Sequence, residues 1–351
     1  MRKTEFYSLL TALPKAELHI HEEAVLSRST IKTVYKRSFN KAMTAAEYDE
    51  LFAYDDLAGF LDSFIKIQKY FTNINDLELL FNDFSEYLEK NNIVYCETFI
   101  SPTSHLKKGW DFSQMIELIC RSLNKIKKEH GRTVKLIIDV SRTFGTENAM
   151  NNLDLVLKEN CPEIIGIGLG GNEVSGPAKD FKDVFEKARK AGLHVVAHAG
   201  EVCDSQSIKD ALNILKAERI GHGITAVNDA DFIKELVQNQ TCLEICPTSN
   251  VFTNTIVKSF KEHPVKKLFD EGVNVTINTD DPTFFKVSLI DEYWNIYKEL
   301  GFTLQEIKTL IKNSFKNSFI SDSAKKKYCS EVEKAWNRWF DEHPECQKEL
   351  S

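Results

Sequence analysis

The sequence predicts an α/β protein folded as a (β/α)8 barrel of the TIM type with extra helices, and three features carry that expectation. Short runs rich in β-branched and aromatic residues alternate with stretches of helical spacing. The runs are apolar on both faces, as strands enclosed between a core and a layer of helices must be. Polar residues gather where the runs end, and in a parallel barrel that end of the strands is the functional face. A doubly wound open sheet is the architectural alternative.

The first candidate strand is ELHIH at 17–21. Residues 44–90 then place Leu57, Phe60, Leu61, Phe64, Phe81, Phe84 and Leu88 at helical spacing and read as a helical insertion. Next come IVYCETFIS (93–101), a helix near 115–128, TVKLIIDVS (133–141), a helix near 147–157, IIGIGL (164–169) and a helix near 181–191. The alternation continues through LHVVAHA (193–199), a helix at 207–217, RIGHG (219–223), a helix at 229–239, CLEICP (242–247), a helix near 265–271 and VNVTINT (273–279). That makes eight strands. Residues 304–345 read as C-terminal helices, with Phe315, Phe319, Trp336 and Phe340 expected to pack outside the barrel. No repeat or linker interrupts the chain, so residues 1–351 are expected to form a single domain.

The 42% hydrophobic and 28% charged content is that of an ordinary globular protein. With 45 basic against 52 acidic residues the formal charge is −7, which offers no footprint for nucleic acid or an anionic membrane and leaves a small molecule as the expected partner. The apolar stretch at 6–13 is short and interrupted by Ser8 and Thr11, so neither a signal peptide nor a membrane span is expected. Eight cysteines without a CxxC pair read as mostly buried, reduced thiols of a cytoplasmic protein, with Cys242 and Cys246 as strand core.

Four strand ends carry the chemistry. In His19-Ile20-His21, the two-residue period of a strand sends both imidazoles to one side, where they can share a metal. His198 closes the fifth strand with Glu201 three residues on, His222 lies between Gly221 and Gly223, and Asp280 and Asp281 end the eighth strand. His19, His21, His198 and Asp280 are the expected ligands of one Zn2+ per subunit, a set that leaves room for a water. Such a metal makes water nucleophilic near neutral pH, which hydrolytic removal of a ring amine requires. Glu201 is the expected general acid, His222 the acceptor of the water's proton, and Asp281 the hydrogen-bonding partner of the attacking oxygen. The other histidines, His105, His130, His194, His263 and His343, read as solvated or capping residues.

Six segments in order, LPKAELHIH, GIGLGGNE, VVAHAGE, RIGHGI, LEICPTSN and TINTDDP, resemble the adenosine/adenine deaminase family over nearly the whole chain. The resemblance implies an aminohydrolase acting at C6 of an adenine-type ring, with the same zinc ligands and catalytic residues. It also implies that Gly171 offers its backbone N–H to the purine and that Glu23 stands at the acidic position that touches the sugar in nucleoside-using members.

Three departures bear on specificity. Glu22 and Ala24 flank Glu23 where the family usually has leucine and glycine, and Gly168 stands where adenosine deaminases tend to have aspartate. Gly170-Gly171 stands where adenine deaminases usually carry Asp-Ser, although Glu23 and the stretch 95–105 resemble that branch. On these grounds a nucleoside, either adenosine or a 5'-modified one such as aminofutalosine, is expected ahead of free adenine. Another metal-dependent hydrolase on the same barrel, or a binder without activity, is the competing class. A two-metal hydrolase would be expected to place a bridging lysine at a strand end, and none stands there convincingly.

Overall fold

A computed structural model describes residues 1–54, 57–159, 161–253 and 256–350. One parallel sheet runs in sequence order through β1 (Lys15–Glu17), β2 (Ile93–Ile100), β3 (Thr133–Asp139), β4 (Ile164–Leu169), β5 (His194–Ala199), β6 (Arg219–His222), β7 (Cys242–Ile245) and β8 (Asn274–Ile277). The ring closes beyond β1 and β8: His21 N–H donates to Asp280 O at 2.9 Å and Asp280 N–H to His19 O at 3.1 Å. This is the expected (β/α)8 barrel. The first strand is shorter than ELHIH suggests because Leu18 and His19 give their N–H groups to the Asn278 side-chain oxygen, at 2.9 and 3.2 Å, in place of a ladder carbonyl.

The helical layer follows from local sequence. Helix Phe112–His130 starts where Asp111 accepts from Gln114 N–H, a cap worth about 1 kcal/mol, and buries Met115, Ile119, Leu123 and Ile126 along one stripe. Its stop is Gly131 in the left-handed conformation, φ +67°. The insertion forms helices Arg28–Phe39, Ala45–Glu50, Leu57–Gln68 and Leu77–Lys90. Helix Leu57–Gln68 lies over the C-terminal ends of the last strands. Phe60 packs 5.5 Å from Phe284 and 5.0 Å from Phe285, and Tyr54 donates to Phe284 O at 2.7 Å. Leu61, expected on the inner face, is instead 45% exposed.

Two further expectations are corrected. Phe315, Trp336 and Phe340 are buried with the C-terminal helices, but Phe319 belongs with the barrel interior. It packs with Phe99, Ile137 and Val196, stacks on His194, and lies 3.9 Å beneath the Arg219 guanidinium, closing the end opposite the functional face. Cys120 and Cys161 form a disulfide rather than two reduced thiols, whereas Cys96, Cys242, Cys246 and Cys346 are buried and free. No described helix is long and apolar enough to cross a membrane.

Candidate metal centre and active site

His19 and His21 leave the end of β1, His198 sits on β5, and Asp280 follows β8, so three separate segments aim at the barrel axis. Each of the four offers one ligand atom, and all four atoms lie within 4.8 Å of one another. Asp280 Oδ1 is 3.3 Å from His21 Nε2 and 3.6 Å from His19 Nε2. His19 Nε2 and His198 Nδ1 are buried without any hydrogen-bond partner. Leaving such groups unsatisfied costs about 1–3 kcal/mol each. Three imidazoles and a carboxylate converging on one point, two of the rings with a buried, unpartnered nitrogen, fit a zinc-type ion that keeps one position open. Asp280 and His222 hold left-handed backbone, φ +63° and +61°, a strain of about 1–3 kcal/mol apiece for non-glycine residues that survives only where surroundings dictate it.

Partners behind the ligands fix their aim. His19 Nδ1 meets Glu244 Oε2 at 2.8 Å, which directs Nε2 at the centre. Arg219 donates to Glu244 and to Glu97, both at 2.5 Å, and Tyr95 and the Phe319 N–H complete the shell of Glu97. Ser249 Oγ donates to Asp280 Oδ2 at 2.7 Å. Gly221 is required beside His19, since a Cβ there would stand 2.6 Å from the imidazole Cε1. Cys246 lies near His222 and Asp280, and burial pushes its thiol well above the usual range.

Glu201 rides on a loop organised by Glu173, which accepts from the N–H groups of Gly200, Glu201, Val202 and Cys203 and from Ser207. Burial, reinforced by the charges of Asp280 and Glu173, pushes the Glu201 carboxyl up to about 8. Its Oε2 lies 3.5 Å from His222 Nε2. Asp281 is likewise pushed up to about 8, by burial and the neighbouring Asp280. Asp280 itself goes the other way: burial opposes ionisation, but the adjoining His19 and His21 imidazoles hold it well below the usual carboxylate range.

The far wall is built from the residues after His21. Glu23 is buried, accepts from Ser101 N–H at 3.1 Å, and its charge is felt by His21 and Asp281. Glu22 is fully buried with neither carboxylate oxygen partnered, and burial with the Glu23 charge pushes it well above the usual range. Gly171, at φ +91°, lies against the hydroxyls of Thr143 and Ser141, and Gly170 against Asp139. His105, expected to be solvated, is buried against Trp110 with Nε2 3.8 Å from Glu23. His263 is also buried, bonded to Asn250.

The adenosine deaminase family model matches residues 14–335. The chain belongs to that family. It is therefore a hydrolytic deaminase, as the motifs imply. An adenine deaminase from Psychrobacter cryohalolentis is 34% identical over 93% of this chain and 98% of its own. An aminodeoxyfutalosine deaminase from Streptomyces avermitilis is 31% identical over 96% and 95%. The crystal structure of adenine deaminase from Arthrobacter aurescens, 31% identical, superposes with a TM-score of 0.87 over 93% of this chain and 99% of that one.

The structure places His19, His21, His198 and Asp280 together, with Glu201, His222 and Asp281 around them, and surrounds them with Glu244, Arg219, Glu97, Glu173, Ser249, Asn250 and His263, which the sequence reading did not assign to the site. One signal was available for Glu244. It shares the two-residue period of Cys242 and Cys246 in an otherwise apolar strand, which places a carboxylate on the same interior face.

Proposed function

We propose that this deaminase binds one zinc ion through His19, His21, His198 and Asp280 and hydrolyses the C6 amine of free adenine to give the 6-oxo purine and ammonia. The observation that carries the chemistry is the convergence of His19, His21, His198 and Asp280 within 4.8 Å, with His19 and His198 each keeping an unpartnered buried nitrogen, beside a Glu201 carboxyl raised to about 8. Zinc bound there would lower the pKa of a water and so supply the nucleophile. Glu201, still protonated near neutral pH, gives its proton to the ring nitrogen next to C6 as that carbon becomes tetrahedral. His222 and Asp281 hold the attacking oxygen, and Asp281 also faces the ring. Gly171 presents its N–H to the purine edge, and Glu23 accepts from the side of the ring away from C6.

Free adenine is placed ahead of a nucleoside, reversing the order expected from sequence. That order leaned on Gly170-Gly171 standing where adenine deaminases carry Asp-Ser. In the structure Asp139 lies against Gly170 and Ser141 against Gly171, so the neighbouring strand end brings a carboxylate and a hydroxyl to the same place. The adenine deaminase relatives support the same reading, and the aminodeoxyfutalosine deaminase relative keeps a 5'-modified adenosine as the second. Comparing kcat/KM for adenine, adenosine and aminofutalosine tests the order. Adenine is expected to lead, and a nucleoside ahead by tenfold or more would overturn the assignment.

A further inference from the structure

We infer that His263 and Asn250 are positioning residues that fix His222 as an Nε2–H donor toward the attacking oxygen, rather than as the acceptor of its proton. Val265 N–H donates to His263 Nδ1 at 3.2 Å, so that nitrogen carries a lone pair. Burial pushes the His263 imidazolium down to about 3, so the ring is neutral and its single proton is on Nε2. That proton points at Asn250 Oδ1, 3.3 Å away. With its oxygen committed to His263, Asn250 turns its NH2 group to His222 Nδ1 at 3.1 Å.

A nitrogen that receives an N–H has no proton of its own. The proton of His222 is therefore on Nε2, the nitrogen nearest Glu201. Flipping the Asn250 amide does not rescue the opposite tautomer, because His263 would then need lone pairs on both ring nitrogens. His222, Asn250 and His263 are all at most 4% exposed, so water is kept from substituting for any link.

The consequence rests on the deaminase reading above. An Nε2–H group donates to oxygen as negative charge builds on it, which is electrostatic stabilisation. It cannot also take the water's proton. The sequence expectation for His222 is thereby revised from proton acceptor to hydrogen-bond donor.

The test is made on zinc-loaded protein with 15N-labelled imidazoles. Wild type is expected to show His222 protonated at Nε2 and bare at Nδ1. Asn250→Asp puts an acceptor opposite Nδ1 and moves the proton there. Turnover is then expected to fall by about 10²–10⁴-fold, with zinc stoichiometry retained and KM within a few-fold. His263→Gln, whose amide N–H still reaches Asn250 Oδ1, should keep the wild-type tautomer and most of the rate, while His263→Leu should not. A wild-type Nδ1–H tautomer, or unchanged turnover in Asn250→Asp, overturns the inference. If wild type deaminates no adenine derivative, the functional reading fails, and the tautomer spectrum still decides the inference.

Discussion

The metal half of the barrel mouth and the wall beyond His21 are built on opposite terms. Around the metal, support is redundant: His19 has Glu244, Glu244 has Arg219, Arg219 has Glu97, and Asp280 has Ser249. In the wall, Glu22 has no partner for either oxygen, and His105 Nε2 and Gln68 Oε1 are buried and unpaired. In the metal half the buried nitrogens His19 Nε2 and His198 Nδ1 are left unpartnered and the network behind them specifies one geometry, while the unpaired groups of the wall leave interactions for something else to complete. The half to which we assign the chemistry is fixed by the protein. The half to which we assign substrate choice is left open.

The sharpest way to break this contrast is within the metal half. Asp280→Ala is expected to abolish stoichiometric zinc, read by metal analysis of the purified variant; full occupancy would remove Asp280 from the ligand set. Glu201→Gln should keep zinc and lose turnover by about 10²–10⁴-fold, the usual share of a positioned acid. With the Glu201 carboxyl raised to about 8, the acid is protonated below that value and ionised above it. The wild-type rate should therefore fall as pH rises through about 8, and a rate flat to higher pH would count against the assignment.

Smaller effects are expected farther from the ion. Glu244→Gln should weaken zinc by about 10–100-fold, since the partner that orients His19 loses its charge; competition with a chromogenic chelator measures it.

In the wall, Glu22→Leu should stabilise the fold by about 1–3 kcal/mol at pH 8, the cost of an unsatisfied buried polar group. An acid raised in the folded state contributes its full stability below the ordinary carboxyl value and loses it as pH climbs toward the folded-state value. The gain should accordingly shrink toward pH 4, as thermal unfolding at the two pH values would show. A variant less stable at pH 8 would mean that Glu22 has a partner, and the contrast between the two regions would fail there.

Legibility in the sequence divided differently, within the metal half itself. Strand ends announce themselves because polar residues interrupt apolar runs, and HIH, AHAGE, GHG and TDD therefore pointed to the centre. The residues that aim those ligands come from other strands. Glu97, Arg219 and Glu244 lie far apart in sequence and meet only when β2, β6 and β7 curve into a ring. Phe319 reads as one more aromatic on an outer helix, and only the closed barrel shows that it seals the far end. His105 and His263 read as surface residues because their neighbours are polar, whereas burial comes from Trp110 in one case and from the packing around Asn250 in the other.

The most direct test of the account is ammonia release from adenine, with the accompanying ultraviolet shift, by zinc-loaded protein before and after a chelator. The account predicts release that the chelator abolishes and added zinc restores. Protein that holds one zinc per chain and yet releases no ammonia from adenine or its nucleosides would contradict it.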